Sequence, residues 1–255
     1  MTYEEAIEIC KNSKRLTEQQ SKKINRLADN LIYGKRSTDE DKERGVRLYL
    51  AAAEANDAHA EYNLGYYYGN GNQKDYERSI EWYLRAAKHG DAWAMNNLSF
   101  AYHNGEGVEV DDVKAIFWLK KAAEGGEAKA QYDLSWHYRK GDCVEQSDEL
   151  EIFWLRKAVA GGDDYAINAL GYNYWKGIGV EQDVEKAVTL YRKAARKKNE
   201  HAALNLALCY RDGEGVEKNL KESIRWFRLT QRWCIDLDPL EIQDNIKAIK
   251  KELKK

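Results

Sequence analysis

Apolar residues recur along the chain at one long, fixed interval. Trp82, Trp118, Trp154, Leu190 and Trp226 stand 36 residues apart, and Ala86, Ala122, Ala158 and Ala194 keep the same step. Leu98, Leu134, Leu170 and Leu206 each follow one of the first four anchors of that series by 16 residues. Gly105, Gly141, Gly177 and Gly213 share the interval, as do Val108, Val144, Val180 and Val216. Leu64 begins an earlier copy whose loop is two residues shorter, and a fainter copy runs through Leu31, Leu48, Ala52 and Ala53. Self-similarity at this period is the mark of a repeat array, in which each unit buries its apolar face only against its neighbours.

The polar positions between these anchors predict helix ends. Seven residues before each anchor stands a short-chain N-cap former: Asp41, Asp75, Asp111, Ser147, Asp183 or Asn219. Such side chains accept hydrogen bonds from the unpaired first-turn N–H groups. Asn56, Gly90, Gly126 and Gly162 mark the ends of these helices, because they tolerate a left-handed C-terminal turn. Asp57, Asp91, Asp163 and Asn199 then cap the next helix; Lys198 and Glu127 break the two rules, so local irregularity is expected there. Two capped helices per period predict an all-α fold, an α-solenoid of about 36 residues per repeat.

The expected organisation is an N-terminal capping helical segment over 1–22 and a degenerate repeat over 23–56. Repeats follow over 57–90, 91–126, 127–162, 163–198 and 199–234, then a C-terminal capping helix over 235–255. That last helix follows Asp238–Pro239 and carries Ile242, Ile246, Ile249 and Leu253 on one stripe. Its lysines (Lys247, Lys250, Lys251, Lys254 and Lys255) read as a solvated face. Ala at 86, 122, 158 and 194 lets helices approach closely, and Trp at 82, 118, 154 and 226 is expected to fill the space between layers.

Composition narrows the class. Charged residues make up 33% of the 255, yet 8 Trp and 17 Tyr argue for a packed core rather than disorder. A single proline agrees with a nearly all-helical chain. The net charge of −2 supplies no global field for nucleic acid or an anionic membrane. Cys10, Cys143, Cys209 and Cys234 share no regular spacing, which argues against a disulfide framework or a zinc site. With no apolar run long enough to span a bilayer and no signal-like segment near the start, a soluble cytoplasmic protein is expected.

The stretch GIGV at 177–180 looks like a phosphate loop, but no strand precedes it and no Gly-Lys-Ser/Thr follows. Its echo as GEGV at 105–108 and 213–216 makes it an inter-helix turn. Ser135, Trp136 and His137 are suggestive of a nucleophile, but adjacent helical residues point in different directions. The histidines form no ligand cluster. No catalytic residue, metal or cofactor is assigned.

The pattern A-x-x-x-L-G-x-x-Y-x-x-G-x-G-V followed by K-A-x-x-W-x-x-K-A-A-x-x-G resembles the Sel-one-like repeat, a relative of the tetratricopeptide repeat. It is clearest at 94–126 and 166–195 and covers about residues 23–234. Ser99 and Ser135 replace the family glycine, Cys143 replaces the second turn glycine, and Thr230–Gln231 replace the last Ala-Ala. The resemblance implies a right-handed superhelix of antiparallel helix pairs whose first helices line a concave groove. Counted from the repeat leucine, positions −5, −2, +2 and +5 then face that groove. They supply Tyr66, Trp93, Asn96, Phe100, His103, Tyr132, Trp136, Arg139, Tyr165, Asn168, Tyr172 and Trp175 as candidate partner-binding residues. Aromatics and Arg are the types that dominate binding hot spots. Two readings stay open: the rings pack between adjacent first helices, which suits the −2 tyrosines, or they meet a partner, which suits the +2 row with Trp93, Trp136 and Trp175.

The function expected from the resemblance is a non-catalytic scaffold or adaptor that binds a peptide or protein, in a bacterial setting. An immunity protein that neutralises an effector is an alternative. A β-lactam hydrolase is the enzymatic alternative, but the relatives so described carry regularly paired cysteines that this chain lacks. No nucleic-acid or membrane partner is expected, and exposed aromatic rows permit self-association.

Overall fold

A computed structural model describes residues 1–71, 74–233 and 238–254, the side chain of Pro239 apart. Cys234 and Lys255 lie outside the described residues. Within them the chain is all helical, with no strand. The elements are α1 (Tyr3–Asn12), α2 (Glu18–Tyr33), α3 (Asp39–Glu54), α4 (Ala58–Asn70), α5 (Tyr76–Lys88), α6 (Ala92–Asn104) and α7 (Asp112–Glu124). They continue with α8 (Ala128–Lys140), α9 (Asp148–Gly161), α10 (Asp164–Lys176), α11 (Val184–Arg196), α12 (Glu200–Asp212), α13 (Leu220–Trp233) and α14 (Pro239–Glu252). The chain divides into two compact units, Met1–Ala130 and Gln131–Lys255.

Capping side chains set most boundaries. Asp75, Asp111, Ser147 and Asp183 cap α5, α7, α9 and α11 from their expected places. Asn219 Oδ1 accepts from Lys221 and Glu222 N–H at the start of α13. Asp41 is a correction: the N-cap of α3 is Thr38, and Asp41 closes the reciprocal capping box from the third helical position. The two expected irregularities are absorbed. Lys198 takes the left-handed conformation (φ 71°) that glycine holds elsewhere. Glu127, with one more methylene than Asp, still reaches the first-turn N–H groups of Lys129 and Ala130. The glycine pair of the inter-helix turn is left-handed at both Gly177 (φ 74°) and Gly179 (φ 64°), and Cys143 adopts the same region at φ 56°.

In the first unit each helix packs on the next, from α2 on α3 to α6 on α7, with α1 against α3. One core holds Ile24, Leu48, Tyr49 and Leu64, and a second holds Ile80, Tyr83, Ala86 and Leu98. In the second unit Leu155, Ile167, Leu170, Val188, Tyr191 and Leu206 form the main core. Phe227 with Ile242, Ile246 and Ile249 of α14 forms the last one. Leu253 is exposed, so the apolar stripe of α14 ends at Ile249.

The tryptophan anchors pack against the cores from their edge: Trp82, Trp118 and Trp226 each lie against the buried residues of a core. Trp82, Trp118, Trp154 and Trp226 are only half-buried. The residues one place later (Tyr83, Leu119, Leu155, Tyr191 and Phe227) are the buried ones. Together with Ile80, Ile116, Ile152, Val188 and Ile224 they face inward at the helical spacing of three, and each Trp lies on the edge of that stripe.

Candidate functional site

In the first unit the candidate positions lie on α4 and α6. Short repeats of Ala, Leu and Gly bury one side of each helix, which turns the remaining positions outward. Trp93 is 52% exposed, Tyr66 43% and Phe100 37%, high values for rings of this size. Tyr62 links them: its ring centroid lies 5.8 Å from Trp93 and 6.4 Å from Tyr66. His59 stands 5.9 Å from Trp93, and Lys129 Nζ sits 4.4 Å above the Phe100 ring. Burial raises the Tyr62 phenol above the usual tyrosine range. His103 is turned toward the start of α7, its Nδ1 3.0 Å from Asp112 Oδ1. Asn96 is buried at 7% exposure, which corrects its assignment to the groove surface.

In the second unit Trp136 is 44% exposed and Tyr165 41%. Tyr132 is half-buried, 6.2 Å from Tyr165, and burial raises its phenol. The Arg139 guanidinium lies 5.3 Å over Tyr172, which in turn stands 5.9 Å from Trp175. Trp175 donates from Nε1 to Glu214 at 2.8 Å, and Tyr165 donates to Glu200 at 3.3 Å. Asn168 accepts from Asn205 at 3.0 Å. Polar handles at 165, 168 and 175 are therefore held in internal bonds, and Trp136 lies edge-on to its neighbour His137, at 5.3 Å.

This arrangement offers stacking faces and cations. The Ser135 hydroxyl is buried and donates to the Tyr132 carbonyl, while His137 turns to Asp142. Among the described residues no three His, Cys, Asp or Glu side chains gather as a metal site would require.

Sequence reasoning missed two groups of rings. Tyr33, 55% exposed, joins Tyr66, Tyr67, Tyr68 and Tyr76 around a cavity of about 1030 Å³ in the first unit. The run Tyr66–Tyr68 was visible, but Tyr33 sits in the degraded copy, where no register points to it. Phe117 and Phe153 are exposed on second helices, one place before the Trp anchor, where other copies carry Glu81, Thr189 and Arg225.

The Sel1 repeat matches six segments of the chain: 24–57, 58–91, 94–127, 128–163, 164–199 and 200–230. The chain belongs to the Sel1 repeat family. A solved protective antigen of uropathogenic Escherichia coli strains, with the same repeat fold, is similar over 99% of this chain at 27% identity and a TM-score of 0.76. This Sel1 repeat chain spans 56% of that protein's length. A Sel1 repeat protein from Oxalobacter formigenes is similar over 89% of this chain and 99% of its own, at 24% identity and a TM-score of 0.73. The immunity protein PA5088 from Pseudomonas aeruginosa shares the fold over 91% of this chain and 83% of its own, at 21% identity and a TM-score of 0.53. Among curated proteins no match is found. Sel1 repeat proteins are generally protein-interaction scaffolds, and no helix among the described residues is long and apolar enough to cross a membrane.

Proposed function

We propose that this Sel1 repeat chain is a non-catalytic scaffold that holds a peptide or protein partner on the aromatic faces of its first helices. The observation that carries the reading is the exposure of Tyr66, Trp93 and Phe100 in one unit and of Trp136 and Tyr165 in the other. Large rings left in water at repeating positions of a packed scaffold are what a protein partner covers. Membership of a family of interaction scaffolds supports the same reading. The immunity alternative has only a likeness of fold behind it, with no residue of this chain to carry it.

The test is affinity capture with the native protein, Trp93→Ala and Trp136→Ala, each checked first for an unchanged melting temperature. A partner that binds the native chain with measured affinity and loses at least tenfold with either variant supports the reading. A partner bound equally by all three overturns it.

A further inference from the structure

One buried position departs from the repeat chemistry. Three residues before each anchor the chain carries Ser79, Ala115, Glu151, Ala187 and Ser223. All five are buried, and Glu151 is 2% exposed. The two serines show what this environment offers: Ser79 donates to the Gly65 carbonyl and Ser223 to the Ala207 carbonyl, each at 2.7 Å. Where this position carries a polar side chain elsewhere, that side chain donates, whereas an ionised carboxylate can only accept.

Among the described residues the Glu151 carboxyl accepts one bond, from Asn173 Nδ2 on α10 to its Oε1 at 2.9 Å. Asn173 is fully buried. The second oxygen of each group, Glu151 Oε2 and Asn173 Oδ1, is buried without a hydrogen-bond partner. Two buried acceptors on side chains already joined by one bond satisfy each other only if one carries a proton. We propose that Glu151 is a neutral carboxylic acid in the folded protein, its Oε2–H donating to Asn173 Oδ1, so that folding of this unit takes up a proton.

The surroundings agree. Burial is the largest influence and pushes the Glu151 carboxyl above the usual glutamate range. The Asn173 amide and Arg139 of α8 pull the other way, and Asp148 of its own helix adds to the rise. An acid whose folded-state pKa is raised contributes stability that is complete below its unfolded value. That stability is lost as pH climbs from the ordinary glutamate range through the raised value.

Glu151→Gln tests the proton, because a glutamine N–H replaces the acid O–H and keeps both bonds. Unfolding of the full chain is followed from about pH 4 to about pH 8, so that the acid end lies below the ordinary glutamate range. Native protein and Glu151→Gln should match at the acid end. The native folded-to-unfolded ratio should then fall relative to the variant, by up to about tenfold per pH unit within the window. Glu151→Ala, which copies Ala115 and Ala187, should show the same relative trend with a constant offset. A difference independent of pH in both variants overturns the proposal. So does the absence, at pH 5, of a protonated-carboxyl infrared band that Glu151→Gln removes.

Discussion

Gly171 of α10 lies directly against the ring of Tyr191. A Cβ added at Gly171 would stand 2.8 Å from Tyr191 Cε1 and 2.9 Å from Cδ1, closer than carbon atoms pack. Gly65 meets Tyr83 in the same way. Where the helix carries Ser99 or Ser135 instead, the corresponding partner position holds Leu119 or Leu155. In these four copies the family glycine and the bulk opposite it vary together, which explains how two serines replace it; in the last copy Ala207 shares a core with Phe227.

Gly171→Ala should therefore destabilise the second unit although alanine is the better helix former. Overpacking costs about 1–3 kcal/mol, while the helix gains about 1 kcal/mol from the exchange. Tyr191 is 2% exposed and has no room to retreat. Adding Tyr191→Leu should recover part of the loss. Urea midpoints for the two single variants and the double variant decide it, and strict additivity would refute the coupling.

Leu119→Ala should cost more than Trp118→Ala, against the ranking that residue size alone suggests. Leu119 is 3% exposed and loses a full core contact, about 2–5 kcal/mol for such a change. Trp118 is half-buried, so part of its surface is already in water. Melting temperatures of both variants check the order; a larger drop for Trp118→Ala would return the tryptophan to the centre of the core.

That ranking also shows where the sequence could and could not be read. The period, the caps and the left-handed turns were legible because each depends on a residue type at a fixed offset: Asp183 before α11, Gly177 after α10. The inward face of the second helices is harder to read, because it is set by Ile80 with Tyr83 and their counterparts, while the more conspicuous tryptophans pack at its edge. Asn96 was drawn into the groove by the same counting, although Ala94 and Leu98 on either side place that stretch of α6 in the core. Glu151 was visible as the only acid in its series, yet its meaning needed Asn173, which belongs to the next repeat. Exposure of Trp93 and Trp136 follows from the fold and does not name what covers them.

The buried thiols should resist alkylation in the folded chain. Burial pushes both Cys10 and Cys209 up to about 11. At pH 8 only about one thiol in a thousand is then the reactive thiolate. Peptide mapping after iodoacetamide treatment should find Cys10 and Cys209 unmodified until denaturant is added, while Cys143, which is exposed, reacts in the native state. Native-state labelling of Cys209 at the rate of Cys143 would contradict the packing of α12.

The Glu61 carboxylate makes the sharpest test of the first unit. It is wholly buried on α4, with Arg85 Nη2 at 3.0 Å from one oxygen and His89 Nδ1 at 2.7 Å from the other. Arg85 also lies 4.5 Å over the Trp82 ring and is itself about half exposed, at 49%. The two partners are therefore unequal: without Glu61 the arginine turns to water, whereas without Arg85 a buried carboxylate keeps only the histidine. Arg85→Ala should cost about 2–3 kcal/mol, below the range of about 3–5 kcal/mol for breaking a fully buried pair because the arginine is half exposed. Glu61→Gln should cost less. The double variant should fall short of the sum by about 1 kcal/mol or more, since contacting charges couple. A urea-based double-mutant cycle reads this directly, and additivity within about 0.5 kcal/mol would mean that the pair holds nothing together.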